Sequence, residues 1–413
     1  MIMPSERAEP RQPTWKIAVK VLLVFVLLYF FLGGMAMMGE GLKTLGRNPD
    51  YDKHATDLAK SLEYRPVVYR VFAYADNPLV GLFVGLLATS IFQSSSFTTS
   101  FTVALVATTP LALHQAIFII MGANIGTSVT NAGVSFTQIR RRDEFERAYG
   151  AAIVHDFFNV LTVCVLLPIE YVVLRVTGRG LLERAASYLA HGFYSGMPTG
   201  EEPTNALKEA VAPLVTATSW LLGSVFGLEL VTASILLAIL GVVTLFVALL
   251  LLTKVLHSLV VKSVERFLDR VLFRNDFTSF AVGLILTSIV QSSSVTTSLL
   301  VPLTGAGLLT LRQIYPYTLG ANIGTTLTAI IASFATAADT PAQAQVGVAL
   351  AFSHMLFNVT GTAIWYPLRR VPIGLALWWA GVCARTKRYA VLHILLFFFL
   401  LPVVVLVIEW WFR

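Results

Sequence analysis

Two clusters of four polar residues carry most of the chemistry this chain can do. Gln93, Ser94, Ser95 and Ser96 stand at the centre of one apolar stretch, and Gln291, Ser292, Ser293 and Ser294 at the centre of another, 198 residues further on. A threonine pair follows each within about one helical turn, Thr98 with Thr99 and Thr296 with Thr297. A hydroxyl or amide can donate to an anion and offer lone pairs to a cation. A lone serine in a membrane helix commonly bonds back to a carbonyl of its own helix. Three adjacent serines point to different sides of a helix and cannot share one packing face. The clusters therefore read as groups that line a wet cavity, the setting in which polar groups are tolerated at membrane depth.

Two further motifs are duplicated. GANIGT occupies 122–127 and recurs letter for letter at 320–325, which places Asn124, Thr127, Asn322 and Thr325 in mid-span. Glycine in a helix interior costs about 1 kcal/mol against alanine. Two glycines in each copy lead us to expect a broken helix that exposes carbonyls and amides; close helix packing by small residues is the competing use. The third motif places His155 and Asn159 in one span and His354 and Asn358 in another. Intramembrane ionisable groups are functional candidates, but neutral structural histidines fit equally well, and the asparagines can bond across helices. Asp156 has Met355 in the matching place. It is either a cation ligand or the partner of a cytoplasmic arginine, with the structural role preferred.

The missing charges matter as much. No Lys or Arg occurs between 77 and 139 or between 277 and 311. An anion held there must rely on helix N-termini, hydroxyl and amide donors, and bound cations. Sodium suits hydroxyl, amide and carbonyl oxygens, so coupling of an anion to sodium follows as a physical requirement. Gln93, Gln291, the four threonines and the GANIGT residues are the oxygens at hand. No Gly-Lys-Ser/Thr phosphate loop is present, so ATP does not drive the process directly, and nothing in these motifs makes the protein an enzyme or calls for an organic cofactor.

The 413 residues are 56% hydrophobic and 13% charged, against about 25% charged in soluble domains. Such a chain cannot clothe a water-soluble body, and the expected fold is an all-α polytopic membrane protein. The net charge of +7 is spread over short clusters between apolar runs, at 140–142, 254–274, 369–370 and 385–388. That is the positive-inside pattern, and it offers no patch for nucleic acid. Cys164 and Cys383 form no disulfide framework or zinc spacing. The apolar stretch at 17–38, preceded by Arg7, Arg11 and Lys16, exceeds a signal peptide's apolar region. It reads as a retained first span with the N-terminus cytoplasmic.

The duplicated motifs define two units, 77–176 and 277–368. Each contains a re-entrant hairpin around its QSSS cluster, a GANIGT span and a His/Asn span. Around them lie a tail and first span (1–39), an extracytoplasmic amphipathic segment (40–76), a connecting extracytoplasmic segment (177–229), a linking span with a basic cytoplasmic segment (230–276) and a C-terminal span region (369–413). Three full spans between Gln93 and Gln291 would invert the second unit, the inverted-repeat architecture of secondary transporters. The stretch 213–227 is the one place where a further span would break that parity.

QSSS twice, each followed by GANIGT and then by HDFFN at 155–159 or HMLFN at 354–358, resembles the type II sodium–phosphate cotransporters. The likeness covers about 81–172 and 283–367 and is densest at 93–168. It implies a carrier in the cell membrane that moves inorganic phosphate with sodium by alternating access. By motif, it assigns Gln93 to Ser96 and Gln291 to Ser294 to a central site, with phosphate on the serines. Animal members carry a large disulfide-bonded loop between the halves. Here 178–212 is short, without cysteine or a glycosylation sequon, and resembles the compact bacterial form. A carrier of another anion such as sulfate, a phosphate channel and a sensor are the alternatives.

Overall fold

The computed structural model describes residues 14–46, 77–109, 111–195, 205–271, 275–334 and 341–412. Most of the expected amphipathic segment at 40–76 and the tail before residue 14 lie outside these residues. Among the described residues there are helices and turns and no strands. Two long helices precede the two units. They are α1 (Thr14–Gly46) and α9 (Leu230–Val271), which pack along each other through close backbone contact at Gly34 and Gly241.

The first unit comprises α2 (Pro78–Phe92), α3 (Ser95–Thr108), α4 (Leu113–Gly126), α5 (Ser128–Ser135) and α6 (Arg142–Thr177). The second comprises α10 (Asp276–Val290), α11 (Ser293–Ser298), α12 (Leu300–Gly305), α13 (Leu311–Phe334) and α14 (Pro341–Trp365). Between the units lie α7 (Leu181–Ser195), packed on α14, and α8 (Asn205–Trp220), packed on α1. The chain closes with α15 (Arg370–Arg385), α16 (Arg388–Leu395) and α17 (Leu401–Trp411).

The hairpins form for local reasons. Asn77 caps α2 by accepting from the Leu79 N–H, Pro78 supplies the first-turn residue that needs no donor, and Asn275 caps α10 from the Thr278 N–H. Each first arm has 15 residues, about 22 Å of helix, short of the roughly 30 Å of hydrocarbon. The chain turns back after each of these arms, at Gln93 and at Gln291. Among the described residues six helices are long and apolar enough to cross a bilayer, and three of them lie between the two QSSS clusters: Leu113–Gln138, Arg142–Thr177 and Leu230–Leu259. The segment from 205 to 225 is helical, ending in a π-helical turn at Leu221–Val225, and is not among the six.

The expected break at GANIGT is not what the chain does there. α13 runs unbroken through Gly320 and Gly324, and α4 gives way only to a turn at Thr127, whose φ of −58° and ψ of −30° stay in the helical region. The glycines serve packing instead. Gly85 and Gly122 let the backbones of α2 and α4 touch, a Cβ at either position overlapping the carbonyl of Ile119 or Leu82; Gly283 and Gly320 do the same for α10 and α13. Each hairpin's first arm thus lies directly on the GANIGT helix of its own unit.

Candidate functional site

Both QSSS clusters form the tip of a helical hairpin, and they do so identically. Gln93 ends α2 with φ 52° and Gln291 ends α10 with φ 61°. Among the described residues these two are the only non-glycine residues at positive φ. A side chain held in the left-handed region is uncommon, and such conformations gather at functional sites. The next residue is extended and caps the second arm: the Ser94 hydroxyl accepts from the Phe97 N–H and the Ser292 hydroxyl from the Val295 N–H. Helix N-termini therefore point into the tip. The first-turn N–H groups of Ser95, Ser96, Ser293 and Ser294 are left without intrahelical acceptors, a ready anion-binding arrangement.

The threonines hold the arms together. Thr89 donates to the Thr98 hydroxyl at 2.9 Å, and the Thr287 and Thr296 hydroxyls lie 2.7 Å apart in the same place of the second unit. Thr98 and Thr296 also donate to the carbonyls of Ser94 and Ser292, Thr99 to Ser96 and Thr297 to Ser293. Thr127 and Thr325 bond back to their own helices, to the carbonyls of Ala123 and Ala321. These hydroxyls keep lone pairs for a cation, but their protons are committed. Ser95 and Ser293 are buried residues, and their hydroxyls make no hydrogen bond among the described residues. Gln93 is exposed, while Gln291, Ser94 and Ser292 are half-buried. Thr89→Val is expected to cost about 1 kcal/mol of stability, because Thr98 keeps its bond to the Ser94 carbonyl; thermal melting in detergent checks this.

The two units meet through a reciprocal set of bonds. His155 Nε2 bonds Asn322 Oδ1 of the second unit, and His354 Nε2 bonds Asn124 Oδ1 of the first at 3.1 Å. Each histidine thus reaches the GANIGT asparagine of the other unit, and with Nε2 donating, both rings can be neutral. The Ser128 hydroxyl lies 3.4 Å from His155 Nδ1. Asn159 donates to the Asn124 carbonyl at 2.8 Å and accepts from Asn322 at 3.5 Å, so it does bond across helices. Asn358 donates instead to the His354 carbonyl of its own helix.

At the tips the reciprocity is broken. Ser96 donates to the Gln291 carbonyl at 2.8 Å, whereas Ser294 donates not to Gln93 but to the Thr127 carbonyl at 3.3 Å.

Among the described residues Asp156 meets no arginine. Its Oδ2 lies 3.7 Å from Nε2 of His393 on α16, whose Nδ1 is 2.8 Å from the Tyr149 hydroxyl. The reason is position: the residue after His155 faces away from the unit interface, toward the C-terminal helices.

Sequence reasoning misses Asn131. It is buried and donates to the Thr297 hydroxyl at 2.7 Å, and its Oδ1 has no partner among the described residues. Asn358 Oδ1 is likewise unpartnered. Buried amide oxygens with unused lone pairs at a unit interface are suitable ligands for a small monovalent cation. The signal for Asn131 is one of spacing: Asn124, Thr127 or Ser128, and Asn131 fall on one helical face.

The architecture has known counterparts in sequence. Residues 55–146 and 244–382 match the Na+/Pi-cotransporter family. Sodium-dependent phosphate transport protein 2A of Rattus norvegicus is 33% identical over 95% of this chain and 68% of its own length. The 2B proteins of Pongo abelii and Homo sapiens are 30% and 29% identical, each over 92% of this chain and 63% of their own length. The chain thus spans close to two thirds of these relatives. No solved structure matches it significantly. With duplicated hairpin tips, GANIGT helices and His/Asn spans all in place, this chain belongs to the Na+/Pi-cotransporter family.

Proposed function

We propose that the protein is a sodium-coupled inorganic phosphate symporter of the cell membrane, working by alternating access around a site between the two QSSS tips. The observation that carries this reading is the pair of left-handed glutamines that aim two helix N-termini, with the unbonded hydroxyls of Ser95 and Ser293, at one interface, from hairpins that contain no Lys or Arg. Phosphate would be held by the hydroxyls and first-turn amides of Ser94 to Ser96 and Ser292 to Ser294. Sodium would take neutral oxygens of Gln93, Gln291, the tip threonines, Asn124 and Asn322, with Thr127 and Thr325 nearby and Asn131 and Asn358 added. His155, His354 and Asn159 position the asparagines; Asp156 supports the C-terminal helices.

Inversion of the second unit is supported by two features. Reciprocal contacts between equivalent residues mark a two-fold relation. The three apolar helices between the tips reverse the second hairpin if each crosses the bilayer. Hairpin 1 then enters from outside and hairpin 2 from the cytoplasm, with the N-terminus inside. The departure from two-fold symmetry at the tips, Ser96 on Gln291 but Ser294 on Thr127, is what a carrier open to one side at a time requires. The opposite conformation would exchange these bonds.

Radiolabelled phosphate uptake into proteoliposomes tests the reading. Saturable uptake is expected under an inward sodium gradient and not under an equal potassium gradient. Ser95→Ala and Ser293→Ala remove hydroxyls that stabilise nothing within the protein, so melting should not change. Each loses a hydrogen bond to a charged ligand, and apparent affinity should fall at least about tenfold. Equal uptake in potassium would replace the symporter with a channel or proton-driven carrier, and sodium-driven uptake of sulfate alone would change the ligand.

A further inference from the structure

Beside the entry of hairpin 2 lies a cavity of about 320 Å3 that the transport site does not use. It opens between α10 and the C-terminal end of α14. Its lining is largely apolar, with Phe280 and Ala363 each one turn further along its helix from the mouth, and Phe277 and Pro367 beside them. Thr362 also lines it, and its hydroxyl has no partner among the described residues. The mouth is polar: Arg369 pairs with Asp276, whose Oδ2 also accepts from the Tyr366 hydroxyl at 3.0 Å.

The mouth also has excess positive charge. Arg312 lies close enough to act on the Asp276 carboxylate, and Arg370 follows Arg369; both Arg312 and Arg370 are exposed. Two arginines, Arg369 and Arg312, thus act on one aspartate, with Arg370 next in sequence. The same end of the molecule holds Arg147, which donates to the Gly305 carbonyl where hairpin 2 leaves the membrane. The entry of hairpin 1 is built differently. There α17 lies against α2, and its Glu409 accepts from Asn77 at 3.0 Å. One hairpin entry is closed by the protein's own helix and an acidic residue; the other presents an apolar slot under surplus arginine charge.

We propose that this slot is a binding site for an anionic glycerophospholipid. One acyl chain lies along Phe280 and Ala363, and the phosphodiester rests at Arg312 and Arg370. Basic pockets at the cytoplasmic ends of membrane helices suit such headgroups. The commitment to lipid rather than free phosphate rests on the apolar lining of the slot, which a phosphate ion has no use for. The site goes beyond the transport reading and does not depend on it.

The test is native mass spectrometry of the full chain released from mixed micelles with equal phosphatidylglycerol and phosphatidylcholine. Wild type should retain phosphatidylglycerol preferentially. Arg312→Gln/Arg370→Gln leaves the Asp276–Arg369 pair intact and should lower that preference by about fivefold per arginine. Ala363→Trp fills the slot at an exposed position and should abolish retention while the melting temperature holds. Equal retention of the two lipids, retention undiminished by Ala363→Trp, or displacement by millimolar inorganic phosphate would each overturn the proposal.

Discussion

Asn322→Leu is expected to reduce sodium-driven phosphate uptake by one to two orders of magnitude, and His155→Leu should restore the stability it loses but not the transport. Asn322 Oδ1 is the acceptor for His155 Nε2, and its amide bonds Asn159. All three residues are buried, so removing the acceptor strands a donor in low dielectric. A stranded buried group costs about 1–3 kcal/mol, whereas replacing both partners by apolar groups can be nearly neutral. Melting temperature therefore reports the pair, and uptake reports whether the amide oxygen also serves sodium. If His155→Leu/Asn322→Leu recovers both, Asn322 is a structural residue and sodium is bound elsewhere. The reciprocal arrangement sharpens the test. His155 should couple to Asn322, and His354 to Asn124, with energies of about 0.5–3 kcal/mol, while the crossed combinations are close to additive. Coupling between His155 and Asn124 of equal size would mean that the interface yields as one body.

Much of this site is legible in the order of residues alone. The duplication says which residues are equivalent. The short apolar arms around QSSS require a chain that turns back, because neither arm reaches across hydrocarbon. The absence of lysine and arginine points to helix N-termini as the anion's partners, and the tips present them. What is not legible is non-local. Periodicity shows that His155 and Asn322 are polar residues in apolar helices, yet says nothing about a partner 167 positions away. Asp156 illustrates the same limit: its neighbour His393 belongs to a helix outside the repeats, so no internal symmetry could supply it. The GANIGT glycines mislead because glycine has two uses, freedom of the backbone and absence of a Cβ. Only the opposing helix distinguishes them.

That distinction leads to the second large effect. Gly122→Val and Gly320→Val are expected to abolish the folded protein, and Gly85→Val and Gly283→Val to do the same from the opposing helix. None of the four has a positive φ, and each faces backbone: a Cβ on Gly122 would overlap the Leu82 carbonyl and stand 2.8 Å from the Leu86 nitrogen, and one on Gly320 would stand 2.9 Å from the Leu284 nitrogen. A side chain at such a contact can swing away; a carbonyl in a helix cannot, so the two helices must separate. Overpacking of this kind costs about 1–3 kcal/mol even where side chains can yield, out of a total stability of roughly 5–15 kcal/mol. Here it also withdraws the support under the hairpin tip. Gly133 is the control, since a Cβ there would meet nothing within 4 Å. Gly133→Ala should be neutral or stabilise by about 0.4–1 kcal/mol through the unfolded chain. Size-exclusion profiles and melting curves in detergent separate the two uses of glycine. If alanine at Gly122 and at Gly133 costs the same, the motif needs backbone freedom and the helix-break reading returns. If Gly122 and Gly320 fail while Gly133 tolerates the change, the GANIGT helices are the seats on which the two hairpins rest, and movement of a hairpin in transport must carry its GANIGT helix with it.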